Sequence, residues 1–508
     1  MKSALVVGAG PTGLVMALSL ARRGVPVRII DKKEGPTRES RAMGLHARTL
    51  EFYRQFGFGD EVVERGVVAS TIHFRAGDRD VARISMADMG RGVSPYPFML
   101  AFAQDEHERF LLDRLGELGV TVQWGATLTG LVERGDSVEA TITDGTSAGQ
   151  STHAYVLGCD GAHSRVREIL GIGFPGGVSE GLFYVADATV TGAESGDIYL
   201  GFRKAGLALK IPVRSTGAQR LIGVVPPEFQ LKKDLGFEDL RAHIEGILGI
   251  HIGEVNWFST YRVQHRVAER FRSGRVFIAG DAGHIHSPAG GQGMNTGIGD
   301  AVNLSWKIAD VLHGRADFAL LDTYEVERIP FARSLIATTD RVFQFLVDDG
   351  RAAQAVRVHL LPRIVGTLAK FLMARRKMFT TVSQTRISYR DCDFNRGEAG
   401  TIHGGDRLPW IATADGDNFE PLRSLDWQVH VYGDAHPDLR AAVDNVGLRF
   451  HRFPWSGAAE AAGVSRNAAY LVRPDGYVAL ALLNANQVGD LTEFIESRGL
   501  HLGEPVQS

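Results

Sequence analysis

Cysteine is almost absent: Cys159 and Cys392 are the only two in 508 residues, far apart and in no C-x-x-C pair. That excludes a disulfide framework and a thiolate zinc site, and leaves two single buried thiols as the expectation. No uninterrupted apolar stretch reaches the ~20 residues that a bilayer-spanning helix needs. Charge of one sign is lacking too. The 56 basic and 59 acidic side chains nearly cancel, for a net charge of −3, so nothing in the electrostatics calls for nucleic acid or another polyanion as partner. The first strand starts almost at Met1 and leaves no room for a cleaved signal peptide. A soluble, cytoplasmic protein is therefore expected. Its length suggests two to four domains, and a hydrophobic fraction of 44% can fill several cores.

What is present begins at once. The apolar run Ser3 to Val7 reads as a buried parallel strand, broken by Gly8-Ala9-Gly10-Pro11-Thr12-Gly13 and continued by an amphipathic helix through Leu14, Leu18 and Ala21. A second run, Val27 to Ile30, ends on Asp31, 18 residues past Gly13. In such a βαβ unit the first glycine permits the tight turn and the second lets the backbone approach a pyrophosphate. The third brings helix and strand close. The unpaired N–H groups at the helix start then face the phosphates, and Asp31 stands where a carboxylate accepts from a ribose hydroxyl. A lone G-x-G-x-x-G is weak evidence, whereas strand, glycines, helix, strand and acid in this order are specific for a dinucleotide.

Further along, Gln104 precedes a helix over Asp105 to Gly119, and residues 127–133 and 137–143 alternate as a hairpin. Tyr155-Val156-Leu157-Gly158 is another parallel-strand run, closing on Cys159-Asp160-Gly161, with Ser164-Arg165-Val166-Arg167 opening a short helix. From Phe183 to about Val263 short β-like runs alternate with Gly- and Ser-rich turns, which predicts an antiparallel sheet inserted between two halves of a parallel one. The parallel sheet resumes at Arg275 to Ala279 and ends in Gly280-Asp281. A glycine-dense passage, Pro288 to Asn295, then leads to a helix from about Thr296 to Leu312. There are more glycines here than packing needs; they let something flat lie against the backbone. His284 and His286 stand close by, but with no carboxylate partner in register no metal is expected. Residues 385–404 read as a linker. Beyond them lies a small α/β domain with a Pro474-Asp475-Gly476 hairpin turn.

Three motifs at these separations, G-A-G-P-T-G, Cys159-Asp160-Gly161 with Ser164 to Arg167, and Gly280-Asp281 with its glycine passage, resemble the FAD-dependent aromatic monooxygenases of the p-hydroxybenzoate hydroxylase type. The resemblance covers about residues 1–390. It looks closest to the phenol-hydroxylase-like and polyketide-tailoring branch, whose carboxy-terminal domain is thioredoxin-like. The implied fold is α/β: a Rossmann-like FAD-binding domain over 1–175, with 66–100 contributing to the substrate layer, an antiparallel substrate-binding sheet over 176–270, a return to the FAD-binding domain with helices over 271–390, and a thioredoxin-like domain over 400–508. That last domain lacks the thioredoxin cysteines, so it is expected to serve packing or subunit contact, as in a homodimer, and not redox chemistry.

By the same resemblance, Gly8, Gly10, Pro11 and Gly13 contact the FAD pyrophosphate, and Asp31 with Lys32 the adenosine ribose. Arg41 lies near the phosphates and the nicotinamide path, and Gln104 touches FAD. Asp160 serves both FAD and NAD(P)H, and Asp281 bonds the ribityl hydroxyls. Gly291 is cofactor-binding, and Gly293, Met294 and Asn295 present backbone N–H groups to the flavin N1 and C2 carbonyl, where a helix start stabilises the anionic reduced ring. The Pro288 carbonyl lies beside the reactive C4a edge. No second glycine unit is seen, in keeping with NAD(P)H as a visiting co-substrate. The implied reaction is reduction of FAD, addition of O2 at C4a, and transfer of one oxygen from that hydroperoxide to an electron-rich aromatic ring. The same architecture supports Baeyer–Villiger insertion, epoxidation and halogenation; the absence of a W-x-W-x-I-P motif counts against the last. A reductase or dehydrogenase that makes no productive use of O2, and a non-catalytic flavoprotein, are the other classes. No acid–base residue can be named.

Overall fold

The computed structural model describes residues 2–37, 42–86, 89–203, 206–213, 217–287, 289–347, 356, 372–484 and 488–503. Its first layer is a six-stranded sheet in the order Arg272–Ser273, Val276–Ile278, Tyr155–Gly158, Ala4–Val7, Val27–Asp31, Val122–Trp124. All neighbours run parallel except the short first pair. The three central strands are nearly continuous apolar runs because helices cover both faces of such a sheet. The helix Pro11–Arg22 covers one face and packs against the long helix Gly293–Leu312. That helix begins at Gly293, three residues before the sequence pattern suggested, because the apolar periodicity only starts at Ile298.

An eight-stranded sheet forms the second layer, ordered His284–Ile285, His251–Val267, Gly176–Thr191, Gln219–Val224, Gly206–Pro212, Ile198–Arg203, Thr71–Ala76, Arg79–Ser85. It is antiparallel except where Ile198–Arg203 meets Thr71–Ala76. Its two longest strands, of 16 and 17 residues, are much longer than their sequence pattern suggests. Register shifts at Val178/Leu182, Asp187/Ala188 and Ala188/Val190 break the alternation that would have revealed them. One face buries Tyr184, Ala186, Ala188, Ala208 and Leu221 under the helix Phe237–Leu248. The opposite face carries Phe183, Val224, Tyr261 and Val263. At the end of the strand Gly206–Pro212, Ile211 and Val213 meet Met43 and Ala103. The hairpin expected over 127–143 gains a third strand, Ala148–His153, whose mostly exposed polar residues carry no strand signal.

The carboxy-terminal sheet is ordered Ile402–His403, Arg396–Ala399, Val478–Leu482, Ala469–Val472, Gln428–Tyr432, Arg449–Phe453. The expectation of a linker over 385–404 is corrected here. Arg396–Ala399 pairs with Val478–Leu482, and Tyr389, Cys392 and Phe394 are buried in the core shared with the long helix. Few apolar residues, widely spaced among charges and glycines, hide that role in the sequence. Trp306 of the long helix meets Trp427 edge-on, ring centroids 5.4 Å apart. Both cysteines are free and buried. Among the described residues no helix is long and apolar enough to cross a membrane.

Candidate active site

Three adjacent parallel strands each end in one of the sequence motifs. Ala4–Val7 runs into Gly8, Tyr155–Gly158 into Cys159-Asp160, and Val276–Ile278 into Gly280-Asp281. The crevice beyond the carboxyl ends of parallel strands is where α/β sheets hold their ligands. Here the glycines separate into two kinds. Gly8 has φ 104°, and a Cβ on it would collide with the Cys159 carbonyl; a Cβ on Gly13 would collide with the Gly8 carbonyl. Those two are required by the protein's own packing. Gly10 has φ −79°, which any residue adopts, and a Cβ there would meet no atom within 4 Å. Neither backbone nor packing demands a glycine at position 10, so the open space is what it preserves. Pro11 opens the helix, where its missing N–H costs nothing.

Around this turn the acids are partly committed. Asp31 is buried; its Oδ2 accepts from the Ala9 N–H at 2.7 Å and its Oδ1 from the Lys33 N–H at 2.9 Å, while Lys32 is exposed. The carboxylate thus fastens the glycine turn to the second strand. Gln104 is the first residue of the helix Gln104–Glu117; its Oε1 accepts from the Ala42 N–H at 3.0 Å and its Nε2 donates to Glu108 at 2.9 Å. Glu108 in turn accepts from the Thr37 N–H at 3.1 Å, and burial raises its carboxyl above the usual range. Gln104 therefore fastens Ala42 to the start of this helix; Arg41 lies outside the described residues. Asp160 Oδ2 accepts from the N–H groups of Arg165 and Val166 at 2.7 and 3.1 Å, closing the start of the short helix Arg165–Ile169. Its Oδ1 is buried with no partner in the protein, and burial raises this carboxyl too. Arg167 donates to the carbonyls of Ala162 and Ala282, tying this strand end to the next.

Asp281 keeps an exposed side chain although protein encloses it on most sides, and that enclosure raises its carboxyl. A carboxylate open at the floor of a cleft suits a ligand rich in hydroxyls. Beyond it, Gly290 and Gly291 take φ 79° and 64° in succession and are exposed, so this loop offers bare backbone. Pro288 falls outside the described residues. The helix then starts at Gly293 with unpaired N–H groups and its positive end. Gly293 and Met294 are half-buried, and Asn295 is buried. The Asn295 side chain is fully occupied: Nδ2 donates to the Gly44 and Gly291 carbonyls at 2.8 and 3.0 Å, and Oδ1 accepts from the His46 N–H at 2.9 Å and the Thr49 hydroxyl at 2.7 Å. His46 Nε2 donates to the Gly290 carbonyl at 2.9 Å, and burial holds this histidine down at about 4, hence neutral.

Sequence reasoning overlooked the residue that holds this region together. Asp300, inside the long helix, accepts from His284 Nε2 at 2.6 Å, from Arg328 Nε at 2.6 Å and from the Gly280 N–H at 3.0 Å. The carboxylate partner of His284 thus comes from another element, which corrects the reading that none was in register. Burial alone would raise the Asp300 carboxyl, but the charges of Arg328 and His284 hold it down at about 2. In sequence it looks like an ordinary helix residue. No group of three or more metal-ligating side chains occurs among the described residues.

Residues 1–339 match the family model described as an FAD binding domain. The 6-methylpretetramide 4-monooxygenase of Streptomyces rimosus is 33% identical, over 98% of this chain and 93% of the relative. The pentachlorophenol 4-monooxygenase of Sphingobium chlorophenolicum is 33% identical, over 80% of this chain and 75% of the relative. Among solved structures, the anhydrotetracycline hydroxylase OxyS from Streptomyces rimosus superposes with a TM-score of 0.76 at 28% identity, covering 99% of both chains. The flavin-dependent monooxygenase PieE, solved with FAD and substrate, gives 0.80 at 25% identity, covering 98% of both.

Proposed function

The chain belongs to the FAD binding domain family and is a flavin-dependent aromatic monooxygenase, and from that premise we propose that it hydroxylates a phenolic or polyketide-like ring with electrons from NAD(P)H and oxygen from O2. The observation that carries this reading is the conjunction of an open Gly10, an orphaned Asp160 Oδ1 and an open Asp281 carboxylate at the ends of three neighbouring strands. Each is a feature the protein alone does not use. Bound there, FAD supplies the path by which two electrons reach O2, so that one oxygen atom enters the ring and the other leaves as water.

The chain's own residues do the rest. Gly8, Gly10, Pro11 and Gly13 would admit the pyrophosphate, with Asp31 and Lys32 beside the adenosine ribose and Arg41 and Gln104 nearby. Asp281 would bond the ribityl hydroxyls, and the unpartnered Asp160 oxygen would be available to the ligand. The Gly293, Met294 and Asn295 N–H groups present positive charge to the flavin N1–C2 edge, while Gly291 and Pro288 contribute backbone beside it. The apolar sheet face of Phe183, Val224, Tyr261 and Val263 is proposed as the flat wall against which an aromatic ring would lie, away from water. The relatives named for pentachlorophenol and for 6-methylpretetramide support this substrate class. The carboxy-terminal unit, read as thioredoxin-like but without a cysteine pair, is proposed to serve packing. The test is NAD(P)H oxidation by the purified flavoprotein against a panel of phenols and polycyclic phenols, with product mass. Stimulated oxidation with a product 16 mass units heavier is expected; oxidation that no aromatic compound stimulates, with no oxygenated product, would place the chain among reductases.

A further inference from the structure

The first turn of the helix Gly293–Leu312 is braced from the stretch that follows the helix Leu372–Val382. Gln384 is only 4% exposed and sits at φ 60°, a left-handed conformation that costs a non-glycine residue free energy and persists only where the surroundings enforce it. Its side-chain amide donates to Thr296 Oγ1 at 2.9 Å and to the Gln292 carbonyl at 3.4 Å. The Thr296 hydroxyl and N–H both donate to that same carbonyl at 2.9 Å. Next door, the Ser383 carbonyl accepts from the Arg48 N–H at 3.2 Å, which anchors the segment to the helix Ala47–Gln55.

These contacts have a consequence on the other side of one peptide bond. A trans peptide unit is planar, so the Gln292 C=O and the Gly293 N–H point in opposite directions. Donors converging on the carbonyl therefore fix the direction of the N–H. We propose that Gln384 is a positioning residue for the flavin: by clamping the Gln292 carbonyl, directly and through Thr296, it aims the Gly293 N–H at the N1–C2 edge of the ring. The proposal rests on the placement of that edge given above. If Gln384 served the fold alone, glycine would be the better residue, because it adopts φ 60° freely. The glutamine retains the strain and gains one aimed amide.

The experiment compares Gln384→Gly and Gln384→Asn with the wild-type holoenzyme. Three quantities are read on each: the midpoint potential of bound FAD against a reference dye, the dissociation constant of oxidised FAD, and the unfolding temperature. For Gln384→Gly the relief of backbone strain should offset part of the loss of the buried side chain, so the unfolding temperature should change little. The preference for reduced over oxidised FAD should fall by about three- to tenfold, the effect of one neutral hydrogen bond, and the potential should drop with it. Asparagine also tolerates the left-handed region and keeps an amide, so Gln384→Asn should recover part of the loss. A Gln384→Gly protein with the wild-type preference, or one whose preference falls only in step with its unfolding temperature, overturns the proposal. A wild-type protein that retains no FAD would instead overturn the flavin placement.

Discussion

The Trp306 indole donates its N–H to the Asp475 carboxylate across 3.1 Å, joining the helix of the glycine passage to the carboxy-terminal hairpin turn. Asp475 also accepts from Arg473 at 2.6 Å, and its backbone carbonyl accepts from Arg48 at 2.7 Å. Arg473 pairs with Glu327 at 2.5 Å, and Glu327 with Lys307 at 2.7 Å, all fully buried. A second bridge joins Arg407 of the carboxy-terminal segment to the buried Glu51. The two units therefore share one charged core, and neither closes it alone.

Removing one partner from such a network leaves an uncompensated buried charge, which costs about 3–5 kcal/mol. Asp475→Ala is expected to destabilise the whole chain by that order, with the carboxy-terminal unit and the FAD-binding domain unfolding in one transition. Circular dichroism and the fluorescence of released flavin, followed together against urea, measure this. An unchanged midpoint, or two separate transitions, would show that the units are energetically independent. Truncation before Gly400 should be worse still, because it takes Arg473 from Glu327 and exposes Trp306.

How far the sequence revealed this arrangement depended on whether a residue's role was local. Gly8, Gly10 and Gly13 serve a turn whose parts are adjacent in the chain, so spacing alone located them. The same holds for the acids that follow two later strands. Asp300 meets His284 and Arg328 only after the helices dock, and no periodicity marks a helix carboxylate that faces inward. Gln384 stands just before the stretch that reads as a linker, where apolar residues are sparse and no motif marks it. The long strands Gly176–Thr191 and His251–Val267 escaped for a third reason: bulges reset the two-residue alternation on which a strand is recognised.

Several histidines are buried in neutral form, and this sets the acid limit of the fold. Burial depresses His46 and His286 to about 4 and His107 to about 3. In the unfolded chain each returns to about 6.5, so between that value and the folded one the unfolded state binds more protons. The stability from these groups is therefore complete above about pH 6.5 and falls as the pH drops, by about 1.4 kcal/mol per unit for each histidine. His107 Nε2 shares a hydrogen bond with the Tyr53 hydroxyl at 2.7 Å, and its Nδ1 is buried with no partner in the protein. Urea unfolding at intervals from pH 8 to pH 5 should show a steep decline below 6.5, less steep in His107→Gln. A curve level down to pH 5 would contradict the neutral burial.

Gly10→Val isolates the phosphate site. The backbone at this position is extended and no protein atom occupies the space of a Cβ, so the variant is expected to fold with native circular dichroism and an unfolding temperature near that of the wild-type apoprotein. The valine methyls would fill the room kept for the pyrophosphate, and flavin retention on purification should be lost. FAD occupancy equal to wild type would mean that the phosphates lie elsewhere.

Asp281→Ala tests coupling of electrons to product. The carboxylate is open at the cleft floor, between the Gly280 turn held by Asp300 and the half-buried His286. Losing it should leave the fold intact, because nothing in the protein depends on its charge for closure of the turn. What it should loosen is the grip on the ribityl chain, and with it the registry between the ring edge, the helix start at Gly293 and the aromatic substrate under the sheet. NAD(P)H oxidation should then persist while product per NAD(P)H falls several-fold and hydrogen peroxide rises in compensation, since oxygen still receives its electrons in a cavity no longer sealed against water. The measurement is the ratio of peroxide to product at equal NAD(P)H consumption under labelled O2. In both proteins the oxygen in product should carry the label; only the ratio should change. Equal loss of oxidation and product, with no added peroxide, would assign Asp281 to binding alone, and product oxygen drawn from water would contradict the monooxygenase reading itself.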